Sequence, residues 1–234
     1  MQAQRVAVIT GASQGLGLAL AKALASDGWS LVLDARHAER LEEAGREVAK
    51  SVAEGFEVVT VPGDISDPVH RAALADHARA LGPVRMIVNN ASTLGASPLP
   101  TLDRVTDDVL HRVFDVNVIA PLALVRSLTD DLGPGATIID ITSDAAVEPY
   151  PGWGAYGASK AALEHASRIM AAEQPEWRVL VVDPGDMRTE MHQDAFPGED
   201  ISDRPPPEDS VPGLLALING SHPSGRYHAR EVAR

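Results

Sequence analysis

The stretch WGAYGASKAALEHA, residues 153–166, carries a phenol and an ammonium four positions apart, Tyr156 and Lys160. On a helix, positions i and i+4 share a face, one turn above the other. A free phenol has a pKa of about 10 and is a weak base at neutral pH; a neighbouring ammonium and a helix N-terminus both favour the phenolate and draw that value down. The pair therefore reads as a general acid/base tuned toward neutral pH. A YxxxK pair alone is common on helix surfaces, so the reading depends on what the chain sets beside it. Ser143 lies thirteen residues before Tyr156, at the end of the run ATIIDIT, where both hydroxyls can converge on one carbonyl oxygen. Asn117 interrupts the apolar stretch FDVNVIAPL. Asparagine has poor helix propensity and competes for backbone hydrogen bonds, so at that position it is expected to have a partner or a task.

A second group lies near the N-terminus. In TGASQGLG, the residues Gly11, Gly15 and Gly17 follow an apolar run and open a helical pattern. Glycines at such a junction let the chain turn tightly and approach a pyrophosphate closely, with the helix N-terminus aimed at the anion. The spacing GxxxGxG is a weak signal in isolation, and its position at the first strand-to-helix junction gives it force.

These groups need a scaffold, and the apolar periodicity supplies one. The runs RVAVIT, LVLDA, EVVTV, RMIVNN, ATIIDIT and RVLVVD are rich in Val and Ile, as strands buried on both faces are. Helical patterns occupy 15–27, 38–53, 68–80, 106–130, 156–173 and 208–219, with a further short strand at 226–228. The alternation predicts an α/β fold: a Rossmann-type, doubly wound parallel sheet of about seven strands with right-handed crossovers and helices on both faces, forming one domain over 1–234. Ligands of such sheets bind beyond the carboxyl ends of the strands. Here those ends read TGASQGLG, DAR, GDI, NNAS, TSDAA and DPGDMRT, and one cleft across the sheet accounts for all of them.

Taken in order, TGASQGLG, NNA, the mid-helix Asn117, Ser143, YxxxK and PGxxxT resemble the classical short-chain dehydrogenases/reductases over residues 5 to about 191. The resemblance implies an oxidoreductase that moves a hydride between a nicotinamide cofactor and a ketone, aldehyde or secondary alcohol. By that resemblance Tyr156 exchanges the proton with the substrate oxygen and Ser143 orients that oxygen. Lys160 holds the nicotinamide ribose and lowers the tyrosine pKa, and Asn117 supports a water relay. The resemblance also implies cofactor contacts from Gly11, Ser13, Gly15, Leu16 and Gly17 at the phosphates. Asp64 and Ile65 would meet the adenine, Asn90 and Ala91 the adenosine ribose, and Pro184, Gly185, Met187 and Thr189 the nicotinamide side, together with Tyr156 and Lys160. Two residues depart from the family pattern: Ser92 replaces the glycine of NNAG, and Asp140 stands where an asparagine often precedes the serine. The runs NNASTLG and PGDM are similar to a sepiapterin-reductase-like branch, which points to a small polar dicarbonyl.

Family members that use NAD usually carry an acid twenty-five residues after the motif threonine, where it binds the ribose 2′-OH. Counted from Thr10, that position is Ala35, followed by Arg36, whose planar fork suits a 2′-phosphate. Asp34 and Gln14 weigh on the other side: one is an acid a residue early, the other sits where NADP-using relatives often carry a base. NADP(H) is the expected cofactor with NAD(H) as the alternative, and reduction is the expected direction.

Composition narrows the setting. The formal net charge of −13 over 234 residues comes from scattered acids, which disfavours nucleic acid and anionic membrane surfaces as partners. The cysteine count of 0 removes disulfides, thiolate metal sites and cysteine nucleophiles and fits a reducing cytosol. Neither a signal-peptide pattern nor a run of the ~18 apolar residues needed to span a bilayer is present, so a cytoplasmic enzyme acting on a small molecule is expected. His192 is expected on the surface with no metal, because no second ligand stands at metal spacing. The Gly-, Asp- and Pro-rich segment 190–208 is expected as a loop serving as substrate lid. Leu94, Tyr150, Trp153, Asp186, Met187 and Met191 are expected to line the pocket. The helices over 106–130 and 156–173 form the common dimer face of the family, which implies a homodimer or homotetramer. Two rivals share the scaffold: a cofactor-binding regulator without turnover, and a dehydratase or epimerase. The complete tetrad favours the oxidoreductase.

Overall fold

The computed structural model describes residues 5–232. Seven parallel strands form one sheet in the order β3-β2-β1-β4-β5-β6-β7. They are β1 (Val6–Ile9), β2 (Ser30–Ala35), β3 (Val58–Pro62), β4 (Val84–Asn89), β5 (Thr137–Ile141), β6 (Arg178–Asp183) and β7 (Gly225–His228). The strand order reverses between β1 and β4, and that is where a crevice opens at the carboxyl edge.

The near-continuous apolar runs become strands because both faces of the sheet are covered. Side chains alternate across a strand. Ala7, Ile9, Leu31, Leu33, Met86, Val88 and Leu180 join one buried cluster with α1 (Gly15–Ser26), α2 (Ala38–Ala49) and α8 (Val211–Asn219). Val6, Val8, Val32, Ile87, Ile138 and Val179 join the other with α3 (Pro68–Leu81) and α5 (Ala120–Ser127). All four residues of β1 and all six of β2 are buried, as a two-faced core requires.

The helix expected over 106–130 is interrupted. It consists of α4 (Asp107–Phe114), a π-helical turn (Asp115–Ile119) and α5. Pro121 is the cause: it has no N–H to give the carbonyl four residues back, that of Asn117, and its ring crowds that carbonyl. The ladder widens instead, and the Ala120 N–H reaches Asp115 O, five residues back. Such π bulges recur at functional sites, and this one carries Asn117.

The helix expected to reach residue 53 stops at Ala49 and tightens into i−3 turns, with Lys50 N bonded to Glu47 O and Ser51 N to Val48 O. The catalytic-motif helix α6 spans Gly154–Glu173, starting two residues ahead of expectation. The segment expected as an irregular lid contains α7 (Glu190–Ala195), whose N-cap Thr189 accepts from His192 N at 3.2 Å. The rest of the segment is tied down: Arg188 N donates to Pro205 O, and Gln193 Nε2 donates to Phe196 O and Glu199 O. A final helix, α9 (Ala229–Val232), follows β7.

Candidate active site

A cleft of about 930 Å³ crosses the carboxyl edge and is bordered by the segments after β1, β2, β3, β4, β5 and β6. At its first end Gly11 and Gly15 hold positive φ, 65° and 56°, a region that glycine enters without cost. A Cβ on Gly11 would stand 2.9 Å from Ala91 Cα, so this glycine permits the close approach of β1 and β4. Thr10 Oγ1 accepts the N–H groups of Asn90 and Ala91, both at 3.0 Å, and Asn90 Nδ2 donates to Thr10 O and Gly11 O. The N-cap of α1, Gln14, makes no side-chain cap bond, and the first turn holds no acid. The result is a concave backbone cradle with free helical N–H groups, which suits a pyrophosphate. Ser13, Gly15 and Leu16 border it; Gly17 does not. Gly17 instead brings α1 onto the sheet, since a Cβ there would stand 2.5 Å from Gly11 O.

Beyond β2, Arg36 borders the cleft and forms no ion pair among the described residues. Asp34, weighed above as a ribose ligand, is 1% exposed. Its Oδ2 faces His70 Nε2 at 3.6 Å, and burial pushes its carboxyl up, against the pull of His70. His37 and Arg40, unremarked in the sequence, also border the cleft. After β3, Asp64 and Ile65 border the cleft. Asp64 accepts from Ser66 N at 2.9 Å and from Arg112 Nη2 at 2.8 Å. Partial burial works to raise its pKa, but these donors and the Ser66 hydroxyl outweigh it and hold the carboxyl down to about 2.

At the far end Tyr156 and Lys160 stand on the first turns of α6, 8% and 2% exposed. The ammonium donates to Ile141 O at 2.7 Å and lies 5.5 Å from the centre of the phenol ring. Burial raises the Tyr156 pKa well above 10; the Ser92 and Ser143 hydroxyls pull it down, and the charges of Asp183 and Asp144 push it further up. Burial also lowers Lys160 to about 8, with Asp140 and Glu164 opposing. The spacing argument, that the lysine draws the phenol down, is therefore not what the free protein shows: desolvation of both groups is the larger effect.

Ser143 sits at the end of β5 as expected, and its hydroxyl donates to Asp144 Oδ1 at 2.9 Å, while Tyr150 OH donates to Asp144 Oδ2 at 2.9 Å. Asp144 was legible only as an acid next to the serine. Asn117, 1% exposed, lies behind the cleft wall. Its Nδ2 donates to Thr93 O and Ser159 Oγ, and its Oδ1 accepts from Thr93 N and Ser92 Oγ. An amide offers two donors and two lone pairs, and all are taken. The Asn117 side chain therefore clamps the β4 loop to α6, while its main-chain carbonyl is the one that Pro121, lacking an N–H, cannot bond. Ser92, the departure from NNAG, supplies one of the two donors to Asn117 Oδ1.

Asp140, the other departure, is 1% exposed. Its Oδ1 accepts from Asn89 Nδ2 at 2.7 Å, and its Oδ2 lies 2.6 Å from Ser167 Oγ, itself 2.7 Å from Leu163 O.

Leu94, Tyr150, Trp153, Asp186, Met187 and Met191 all border the cleft, as do Asp194 and Phe196. Trp153 packs edge-on to Tyr156, ring centres 5.7 Å apart, and 5.9 Å from Phe196. His192, expected on the lid surface, borders the cleft too; its ring lies 4.9 Å from Phe196, four residues on along the chain. That i,i+4 aromatic pair was the signal that could have turned it inward. Pro184, Gly185 and Thr189 complete the wall beside the β6 end. Among the described residues no group of three His, Asp or Glu gathers at metal-binding distance, and no helix is long and apolar enough to cross a membrane.

A phenol, a serine hydroxyl and a lysine stand together at one end of the cleft, and a glycine-built backbone cradle stands at the other. Residues 5–200 match the family model for short chain dehydrogenases, and the chain belongs to that family. It is 35% identical over 198 residues to the sepiapterin reductase of Bos taurus, covering 80% of this chain and 74% of that protein. Among solved structures, a short chain dehydrogenase from Salmonella enterica serovar Typhi superposes with a TM-score of 0.87 at 26% identity, covering 97% of this chain and 96% of that one. The alcohol dehydrogenase of Thermococcus sibiricus, solved in complex with 5-hydroxy-NADP, superposes with a TM-score of 0.85 at 27% identity, over 99% and 98% of the two chains.

Proposed function

We propose that the protein reduces a ketone or aldehyde with NADPH, with Tyr156 as the general acid. The observation that carries this reading is the buried Tyr156 phenol beside Ser143 and one helical turn from Lys160. A phenol whose pKa burial raises keeps its proton at neutral pH, which is what an acid needs when a carbonyl oxygen gains an electron pair. The cofactor supplies the hydride. Ser143 turns its hydroxyl from Asp144 to the substrate oxygen and orients it. Lys160, still mostly charged at pH 7 with a pKa of about 8, holds the nicotinamide ribose and adds positive charge near the oxygen. Trp153, Phe196 and Met191 exclude water from the reacting end. The phosphate cradle suits a pyrophosphate, and Arg36, which forms no ion pair among the described residues, suits a 2′-phosphate. The NADP-type ligand of the archaeal relative and the likeness to sepiapterin reductase support the cofactor and a polar carbonyl substrate.

The exposed Ile119 and Ile169, 53% and 46% accessible beside and on α6, support a homodimer or homotetramer built on this face. The absence of cysteine supports a cytoplasmic setting. The test is a parallel titration with NADPH and NADH, followed by a carbonyl panel read through the absorbance of the reduced nicotinamide. NADPH is expected to bind about tenfold tighter, roughly 1.4 kcal/mol, and at least one ketone or diketone to be reduced. Binding of neither cofactor would overturn the reading.

A further inference from the structure

A polar clasp joins the lid to the cofactor end of the cleft, and the chemistry above does not use it. Gln14 Nε2 donates to Glu190 Oε2 at 2.9 Å. Arg40 Nη1 donates to Gln14 Oε1 at 3.1 Å and to both Glu190 oxygens, at 3.2 and 3.1 Å. Three elements thereby meet: the phosphate loop through Gln14, the first turn of α2 through Arg40, and the first residue of α7 through Glu190. The closure is tight, since Thr189 Cγ2 lies 3.5 Å from where a Cβ of Gly15 would stand. Gln14, Arg36, His37, Arg40 and Glu190 border one end of the cleft, the end where the segment after β2 selects the ribose substituent in folds of this kind. The Gln14 amide and, against slight burial, the Arg40 charge hold the Glu190 carboxyl below its ordinary value, so it is an anion at neutral pH.

The charges around this end are unevenly matched. Arg36 has no anionic partner among the described residues, while the Arg40 guanidinium is occupied by a carboxylate of the protein itself. That pair is solvent-facing, with side chains 54% and 60% exposed, and such pairs hold weakly and exchange readily. A phosphate monoester brings up to two negative charges and oxygens that match the arginine fork. It is a stronger acceptor for Arg40 than Glu190 is.

We propose that Arg40 is a second ligand of the 2′-phosphate of NADP(H), beside Arg36, and that Glu190 stands in for that phosphate in the free protein. The inference rests on the NADP(H) reading above. It makes the first turn of the lid a reporter of cofactor identity. A 2′-phosphate takes Arg40, and Glu190 keeps only the Gln14 amide, which loosens α7 on the phosphate loop. NAD(H) carries only a 2′-hydroxyl and leaves the clasp closed. Gln14 keeps a role in this scheme although it is not basic, because it bridges Arg40 and Glu190.

The test is a double-mutant cycle on the full chain, read as dissociation constants for NADPH and NADH by calorimetry. Glu190→Gln is expected to tighten NADPH by about twofold to fivefold, the size of an exposed ion pair, and to leave NADH unchanged. Arg40→Gln is expected to weaken NADPH by about tenfold or more, again without effect on NADH. In the Arg40→Gln background, Glu190→Gln is expected to change nothing further. Hydrogen exchange at residues 189–196 gives an independent reading: faster with NADPH than with NADH in the wild type. If the Glu190→Gln effect persists without Arg40, simple charge repulsion explains it and the clasp is overturned. The clasp is also overturned if Arg40→Gln moves both cofactors equally or neither, while a wild-type preference for NADPH leaves the function standing. A wild type that binds neither cofactor, or NADH more tightly, overturns both.

Discussion

Replacing Asp140 by Asn tests whether the acid behind the catalytic pair carries a proton. Ser167 Oγ lies 2.6 Å from Asp140 Oδ2 and 2.7 Å from Leu163 O, and one hydroxyl proton cannot serve both acceptors. Ser167 donates to Asp140 or to Leu163 O in turn, and only a protonated Asp140 would make both contacts hydrogen bonds at once. Burial pushes the same way and raises the Asp140 pKa above 3.8, against the Ser167 and Asn89 hydrogen bonds and the Lys160 charge. The folded chain then holds a proton that the unfolded chain releases above pH 3.8. Stability on account of this group is therefore present below that pH and lost as pH rises through the folded value, at up to about 1.4 kcal/mol per unit. An asparagine keeps every contact, with its carbonyl toward Asn89 and its amide toward Ser167, and carries no titration. Asp140→Asn is accordingly expected to gain on the wild type as pH rises above 3.8 toward the folded value, by up to about 1.4 kcal/mol per unit. Urea melts followed by tryptophan fluorescence at several pH values, with m held common, measure the gap. A variant less stable than the wild type by the same amount at every pH would refute the proton count. It would mean an ionised Asp140 serving as the countercharge of Lys160.

Tyr156→Phe is expected to bind NADPH as the wild type does and to lose about 10²-fold or more in turnover; undiminished turnover removes the tyrosine from the mechanism. Arg36→Ala is expected to weaken NADPH by about tenfold and NADH little, and equal losses would take Arg36 out of cofactor selection. Lys160 titrates near 8 in the folded chain against 10.5 unfolded. The unfolded state binds the extra proton between these values, so stability from this group rises with pH there by up to about 1.4 kcal/mol per unit. Lys160→Met lacks that rise, and denaturation at pH 8 and 9.5 is expected to show the wild type gaining on it; a constant gap speaks against the buried ammonium.

The legible features were those whose physics is local. Runs such as ATIIDIT announce two-faced strands by composition, and Gly11 and Gly15 announce the cradle because only glycine takes their φ. Tyr156, Ser143 and Lys160 follow from strand ends and helical spacing. Where contacts join distant segments, composition gives no sign. Glu190 meets Arg40 across 150 positions, and Ser92 meets Asn117 across 25. Gly17 reads as part of the cradle because its motif says so, yet its missing side chain serves helix packing. The π turn does have a local sign: Pro121 lies four residues after Asn117, which is where a proline must break the ladder. The helix in the lid hid behind glycine and proline that flank it, and Thr189 was its cap signal.

Burial shapes the catalytic pair more than spacing does. It moves Tyr156 and Lys160 in opposite directions, each toward its neutral form. With a value of about 8, Lys160 remains roughly nine-tenths charged at pH 7, while the phenol keeps its proton throughout the physiological range. Under the proposed function, such a site is set to give a proton. Asp144 and Asp183 strengthen that setting, because each negative charge near the phenol makes the phenolate harder to form. Oxidation of an alcohol would start from the phenolate and would first have to overcome this bias; reduction of a carbonyl starts from the state the free protein already occupies. The two serines that pull the other way, Ser92 and Ser143, give their protons to Asn117 Oδ1 and Asp144 Oδ1 in the free protein and favour the phenolate only by turning to it. They therefore favour the step without disturbing the resting acid.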